Sequence, residues 1–175
     1  MPPLAVSAQA PRLHLRPLFG EALRSPGPRM ALCFVRHFGC PAARAALAEM
    51  NALANRFDKA GVALVAVTAG PLAQARDFVS RYHTLHALVV DEGPLRADFG
   101  LERGPAGRAR LGGLLRHPLV ALQAAALGHR VAGADEGALP AEFGLEADGR
   151  VGFVHAPRRW DAAPDFAGLL AWAGA

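Results

Sequence analysis

The residue best suited to nucleophilic chemistry in this chain is Cys40, which follows an apolar run and a glycine. Pro41 comes directly after it, and a strongly helical pattern begins there. Proline suits the first helical position, because its fixed φ is already helical and its missing N–H would have no partner there. A cysteine just before that proline lies among unpaired backbone N–H groups at the positive end of the helix dipole, which favours the reactive thiolate. The sequence therefore predicts Cys40 as a nucleophile.

The second cysteine, Cys33, lies within the apolar run of residues 31–35, seven positions before Cys40. If this run is an intact strand, the two α carbons are farther apart than the roughly 7 Å that a disulfide allows. We therefore expect Cys33 to be a small buried hydrophobic residue. Two cysteines in 175 residues also make no disulfide framework.

Basic side chains near Cys40 could stabilise its thiolate or hydrogen-bond a substrate oxygen. Arg36 and His37 flank the turn, and strand alternation would point them to opposite faces, so at most one of the two is expected to assist. Arg44 comes one helical turn after Cys40, and Arg103 lies in a later loop that could swing toward the site. We take His37, Arg44 and Arg103 as the candidate assisting residues. For each of them, a solvent-exposed charge is the alternative that the sequence leaves open.

The length and composition of the chain limit the classes of protein to which it can belong. A length of 175 residues with 52% hydrophobic residues predicts one domain with a full core. The net charge of +4 comes from arginines scattered among alanine and glycine, with 7% aromatic residues, so no nucleic-acid partner is expected. The longest apolar stretch, residues 119–127, is far shorter than the roughly 20 residues needed to cross a bilayer. We predict neither a membrane segment nor a secretory signal, and we expect a cytoplasmic location.

The seven histidines of the chain predict no metal site. His83 and His86 straddle a predicted helix end and strand start, and His117, His129 and His155 are isolated, with no thiolate or carboxylate at ligand spacing. The glycine-rich loop of residues 104–113 lacks the lysine-hydroxyl ending of a phosphate-binding loop. We therefore expect neither a metal nor another cofactor.

Alternating strand and helix patterns predict the elements that position Cys40, which lies between a strand and the helix that follows it. Apolar runs rich in β-branched residues predict buried strands, and apolar residues at helical spacing predict the helices between them. Such alternation is typical of a parallel sheet with crossover helices. We interpret residues 1–29 as an N-terminal arm and residues 30–175 as one domain. The predicted elements, in chain order, are a strand at 31–35, a helix at 41–57, a strand at 62–67, a helix at 72–82 and a strand at 86–90.

In the final third of the chain, the alternation of strand and helix patterns gives way to a hairpin pattern and a terminal helix. Strand-like runs at residues 141–146 and 150–155 flank an Asp-Gly pair, which is a strong signal for a hairpin. A helix is predicted over residues 161–173. Before the hairpin, residues 108–127 predict an inserted helical segment, and its apolar part either covers the core or forms a homodimer contact.

Three stretches resemble the AhpC/TSA-related peroxiredoxin-like family: residues 34–41 (FVRHFGCP), residues 97–104 (ADFGLERG), and residues 139–151, which begin with LPAEF and end with DGRV. The resemblance spans about residues 30–172. It implies a thioredoxin-like three-layer α/β fold with a central mixed sheet and a C-terminal antiparallel hairpin, and the predicted helical segment of residues 108–127 is then an insertion before that hairpin. The family often has a second cysteine three residues after the first. Ala43 holds that position here, so a Cys-x-x-Cys disulfide cannot form.

The same resemblance implies a one-cysteine, thiol-dependent peroxidase or a related antioxidant oxidoreductase. Cys40 would reduce a hydroperoxide or another small electrophile, and an external thiol would recycle the resulting sulfenic acid. Gly39, Pro41 and Pro140 would line the substrate pocket, with Pro140 at the place where thioredoxin-like proteins have a cis-proline facing the active cysteine. Two other functions remain open: a redox-inactive binding module that uses the same groove, and a glutathione-linked thiol transferase.

Overall fold

A five-stranded mixed sheet forms the centre of the protein. The structure, a computed structural model, describes residues 2–38, 40–91, 95–101, 137–159 and 162–175. Its strands are β1 (Leu13–Leu15), β2 (Leu23–Ser25), β3 (Arg29–Val35), β4 (Val62–Ala69), β5 (Ala87–Asp91), β6 (Ala141–Leu145) and β7 (Val151–His155). Its helices are α1 (Pro41–Lys59), α2 (Leu72–Arg81), α3 (Leu95–Asp98) and α4 (Phe166–Ala173).

The strand order of the sheet is β5-β4-β3-β6-β7. β3, β4 and β5 run parallel, because α1 and α2 carry the chain back between them, whereas β6 pairs antiparallel with β3 and β7 antiparallel with β6. The mixed sheet and the closing hairpin expected from the sequence are therefore confirmed. The predicted insertion at residues 108–127 lies outside the described residues.

Alternation along β3 divides the core into two layers. On one face of the sheet, Ala31, Cys33 and Val35 pack with buried residues of α1, α2 and α4. On the other face, Met30, Leu32 and Phe34 pack with the N-terminal segment, Phe99 and the hairpin. A central strand that is buried on both faces reads as a continuous apolar run, which is why residues 31–35 show no polar alternation.

The segment before β3 packs against the second face of the sheet. The Ser7 N–H donates to the Val151 carbonyl at 2.7 Å, and the Val151 N–H donates to the Ala8 carbonyl at 2.9 Å. β1 and β2 then form a two-stranded antiparallel pair that buries Leu13 and Leu15 in the core. This segment therefore supplies part of the hydrophobic layer beneath β3.

The last helix begins later than its apolar pattern predicts. α4 begins at Phe166, and the Asp165 side chain caps it by accepting a hydrogen bond from the Gly168 N–H at 2.9 Å. A capping aspartate satisfies one of the N–H groups that have no partner in the first turn. The prediction of residues 161–173 thus gave the correct element with a start that was five residues too early.

Gly144 of β6 leaves room for the ring of Trp172 on α4. A β carbon at position 144 would lie 2.5 Å from a ring carbon of Trp172. The ring is held in place, because its Nε1 donates to Glu146 at 2.7 Å and the Arg29 guanidinium stacks 4.5 Å from its centroid. We expect Gly144→Ala to lower the free energy of unfolding by about 2 kcal/mol, as overpacked substitutions do. Urea unfolding measures the change.

A double-mutant cycle separates this clash from other effects of alanine in a strand. In a Trp172→Leu background the penalty of Gly144→Ala should largely disappear, because the ring that it meets is gone. An equal penalty in both backgrounds would show that the ring contact does not set the need for glycine.

Candidate active site

Cys40 is the N-cap residue of α1, and Pro41 opens the helix. The Cys40 backbone is extended, with φ −90° and ψ 120°. Its N–H donates to the His37 carbonyl at 2.9 Å, and its own carbonyl accepts the Arg44 N–H at 3.1 Å. The side chain is 4% exposed, and within the described residues it makes no capping hydrogen bond to the helix. The sulfur is therefore fixed at the helix N-terminus and available to another donor.

Arg36 supplies that donor. Its Nη1 lies 3.5 Å from the Cys40 Sγ and donates a hydrogen bond to it. Both side chains are 4% exposed, so little water screens the charge of the guanidinium at the sulfur. The buried Thr68 at the end of β4 holds the backbone of Arg36, because its hydroxyl donates to the Arg36 carbonyl at 3.0 Å. The structure therefore places one buried cationic donor on the sulfur at the start of α1.

His37, Arg44 and Arg103 are the residues that the sequence suggested would assist Cys40, and the structure gives contacts for the first two of them. His37 is buried and contributes its backbone carbonyl to the turn before Cys40. The Arg44 guanidinium lies 5.8 Å from the ring centroid of Phe78 and 5.6 Å from that of Tyr82, between α1 and the end of α2. Gly39 and Arg103 lie outside the described residues.

A cavity of about 20 Å³ lies between the start of α1 and the sheet. That volume holds about one water molecule. Arg36 and Pro140, which comes from the segment before β6, both line it, so the structure brings these two residues to one space. The other residues that line the cavity include Cys33, Ala43 and Glu142.

The geometry of Pro140 differs from what the family resemblance implied. Among the described residues the cis peptide bond is Ser25–Pro26, so the Leu139–Pro140 bond is trans and the expected cis-proline is wrong. A hydrogen bond fixes the backbone of Leu139, the residue before the proline, because Arg96 Nη1 donates to the Leu139 carbonyl at 2.8 Å.

Arg96 is a positioning residue that the sequence analysis missed. Besides bonding Leu139, its guanidinium donates to the carbonyl of Val35, the last residue of β3, and stacks 5.4 Å from the Phe34 ring. One side chain thereby links the strand that leads to Cys40 with the segment that carries Pro140. No sequence signal separates Arg96 from the other arginines, since the Leu139 and Val35 carbonyls that it bonds are distant in the chain.

Cys33 lies beside an acidic side chain, whereas Cys40 lies beside a basic one. It is 1% exposed and pairs across the sheet with Glu142 of β6. Burial, and secondarily the nearby Glu142, raises the pKa of the Cys33 thiol well above its ordinary value. Burial also raises the pKa of Glu142, against the opposing effect of a 2.6 Å hydrogen bond with His155. The environment of Cys33 therefore opposes ionisation of its thiol, and neither cysteine forms a disulfide.

Two classes of site are not found in the part of the chain that the structure describes. No three histidine, cysteine, aspartate or glutamate side chains there are grouped so that they could hold a metal ion. No helix in the same part is both long enough and apolar enough to span a membrane.

The sequence matches no protein-family model and no curated protein, but solved structures share its fold. Peroxidoxin BcpB of Mycobacterium tuberculosis superposes with a TM-score of 0.64 at 18% identity, covering 97% of this chain and 96% of that one. A mutant of peroxiredoxin 6 of Arenicola marina gives a TM-score of 0.70 at 15% identity, covering 98% of this chain and 72% of that one. A peroxiredoxin-like protein from Aquifex aeolicus gives 0.69 at 16% identity, covering 99% and 88%. The chain therefore has the thioredoxin-like fold of the peroxiredoxins, which confirms the expected architecture.

Proposed function

We propose that this protein is a one-cysteine thiol peroxidase in which Cys40 reduces a hydroperoxide and an external thiol restores it. The observation that carries the proposal is the 3.5 Å hydrogen bond from buried Arg36 to the Cys40 sulfur at the start of α1. The fold supports it, because proteins of the same architecture are named peroxidoxin and peroxiredoxin. Arg36 thus takes the assisting role for which the sequence analysis put forward His37, Arg44 and Arg103.

The first half-reaction oxidises Cys40. The thiolate sulfur attacks the terminal oxygen of the hydroperoxide, and the S–O bond forms as the O–O bond breaks. The departing alkoxide takes up the proton that the thiol gave up and leaves as an alcohol, or as water when the substrate is hydrogen peroxide. Arg36 stabilises the thiolate before attack and the negative charge that moves onto oxygen during it.

The second half-reaction needs a thiol from outside the chain. The sequence holds two cysteines, and Cys33 is buried in β3 with a raised pKa. Ala43 holds the position of a second cysteine on α1 and is itself buried. An external thiol therefore attacks the sulfenic sulfur and releases water, and a second equivalent releases Cys40 as the thiol and leaves as a disulfide.

The substrate pocket proposed for this reaction lies around the start of α1. Pro140 forms its wall across the small cavity that Arg36 also lines. Gly39 and Pro41 are assigned to the proposed pocket because they flank Cys40 in the sequence. Cys40 is 4% exposed, which favours small hydroperoxides over bulky electrophiles.

Mass spectrometry after stoichiometric hydrogen peroxide in the presence of a sulfenic-acid trap tests the proposal. We expect rapid and near-complete labelling of Cys40, with Cys33 as an unlabelled internal control because its pKa is raised and its side chain is buried. Cys40→Ser should abolish both the labelling and the peroxide consumption that an added thiol sustains, whereas Cys33→Ala should retain both.

The competing function is that of a redox-inactive binding module, which the burial of Cys40 favours. An absence of Cys40 labelling at peroxide concentrations far above that of the protein would overturn the peroxidase proposal and leave this one. Labelling by peroxide followed by turnover with glutathione as the sole thiol would identify the glutathione-linked version of the chemistry.

A further inference from the structure

A second cavity, of about 420 Å³, lies between α1 and the end of α2, outside the proposed peroxide site. Volumes of several hundred Å³ are typical of sites for small organic molecules. Its walls combine apolar and aromatic surface from Leu47, Phe78 and Tyr82 with the basic side chains of Arg44 and Arg81. The remaining lining residues are Ala45, Ala48, Asn51, His83 and Thr84.

Hydrogen bonds fix the end of this cavity in place. Asn51 of α1 reaches across to the loop after α2, where its Nδ2 donates to the His83 carbonyl at 2.7 Å. Its Oδ1 accepts the Leu85 N–H at 2.6 Å. One side chain of α1 therefore holds the loop that follows α2, and this loop supplies His83 and Thr84 to the cavity wall.

Arg44 is the group in this cavity that lacks a counter-charge. It is 7% exposed, and among the described residues its Nε and Nη2 have no hydrogen-bond partner. The faces of Phe78 and Tyr82 lie 5.8 and 5.6 Å from the guanidinium, a contact that attracts a cation but accepts no hydrogen bond along the N–H directions. A buried guanidinium with unmet donors is costly unless an anion pairs with it.

The remaining charges favour an anion as that partner. Within the described residues no aspartate or glutamate lines the cavity. The nearby Asp77 is paired with Arg81 at 2.9 Å, and both of these side chains are exposed. One buried guanidinium balances one negative charge, and the apolar walls suit an organic body rather than a small hydrated ion.

We infer that the α1–α2 cavity binds a small carboxylate whose organic body packs on Phe78 and Tyr82 and whose carboxylate pairs with Arg44. The site begins one helical turn beyond Cys40, since the Arg44 N–H donates to the Cys40 carbonyl at 3.1 Å. A hydroperoxide substrate and a thiol reductant can both carry such a carboxylate. That assignment to a half-reaction rests on the proposed peroxidase function, whereas the binding itself does not.

Calorimetric titration of the full chain with benzoate tests the binding. Wild-type protein should bind benzoate at least about tenfold more tightly than benzamide, because only the carboxylate pairs with Arg44. Arg44→Gln should weaken benzoate binding about tenfold or more. Arg76→Gln, the same change at an exposed position on α2, should leave the benzoate affinity unchanged.

Equal affinity for benzoate and benzamide would overturn the inference, as would undiminished benzoate binding in a folded Arg44→Gln protein. Inorganic phosphate is the competing probe. Phosphate that binds more tightly than benzoate would assign the site to a different class of anion and would also overturn the inference.

Two kinetic comparisons on the wild-type protein then locate the ligand. A carboxylate-bearing hydroperoxide that oxidises Cys40 faster than its methyl ester identifies the substrate as the ligand. Mercaptopropionate that reduces the Cys40 sulfenic acid faster than its methyl ester identifies the thiol instead. If Cys40 forms no sulfenic acid, the proposed peroxidase fails while the benzoate titration still decides the carboxylate site.

Discussion

Replacing Arg36 with methionine is expected to slow the reaction of Cys40 with hydrogen peroxide by about 100-fold, the size of effect that loss of one preorganised charged donor has in enzymes. The Arg36 Nη1 lies 3.5 Å from the Cys40 Sγ, and both groups are buried, so water cannot replace the lost charge. Methionine keeps the length and apolar packing of the side chain without its donors. The rate of sulfenic-acid formation under single-turnover conditions measures the effect.

Two further variants show whether the charge or the geometry of Arg36 matters. Arg36→Lys keeps the cation but loses the planar fork, and we expect a rate between those of wild type and Arg36→Met. Arg56→Gln removes a positive charge from the exposed far end of α1 and should react at the wild-type rate. A wild-type rate in a folded Arg36→Met protein would show that the hydrogen bond to the sulfur does not activate it.

Sequence patterns predicted the position of Cys40 but not which basic residue contacts it. The order glycine, cysteine, proline specifies a turn and a helix start through local chemistry alone, and the structure has Cys40 as the N-cap with Pro41 following. The choice between Arg36 and His37 depended on strand alternation. β3 ends at Val35, so alternation no longer applies to the two residues that follow.

The position of Arg44 shows the same limit of local rules. Residues four apart on a helix face each other, which is why Arg44 was expected near Cys40. Cys40 is the capping residue, however, and its backbone is extended rather than helical, so the spacing rule for helical residues does not apply to it. The aromatic rings of Phe78 and Tyr82 come from a different helix, so no spacing within α1 indicates that they receive the Arg44 guanidinium.

The sheet was more predictable than the site, because each of its strands carries its own signal. The continuous apolar runs became the buried parallel strands β3, β4 and β5, and the Asp-Gly pair became the turn between β6 and β7. Contacts such as those of Arg96 with Val35 and Leu139 join positions that are 61 and 43 residues away in sequence. A single sequence carries no pattern that pairs positions at such separations.

His86 should make the protein less stable in acid, by about 3 kcal/mol between pH 6.5 and pH 4. The side chain is 7% exposed, and among the described residues neither ring nitrogen has a hydrogen-bond partner. Burial lowers the pKa of His86 from 6.5 to about 4. Between these values the unfolded chain binds a proton that the folded chain does not, so stability is full above pH 6.5 and falls as the pH drops toward 4.

Urea unfolding at a series of pH values measures this loss, and substitution isolates it from the titration of the carboxylates. His86→Leu keeps an apolar side chain at the buried position and should flatten the stability curve between pH 6.5 and pH 4 relative to wild type. His14→Gln removes an exposed histidine of β1 and should follow the wild-type curve. If the His86→Leu curve runs parallel to that of wild type through this interval, the burial of a neutral His86 is not the source of acid sensitivity. A difference that opens only below pH 6.5 and stops growing near pH 4 would identify His86 as the residue whose protonation the folded core resists.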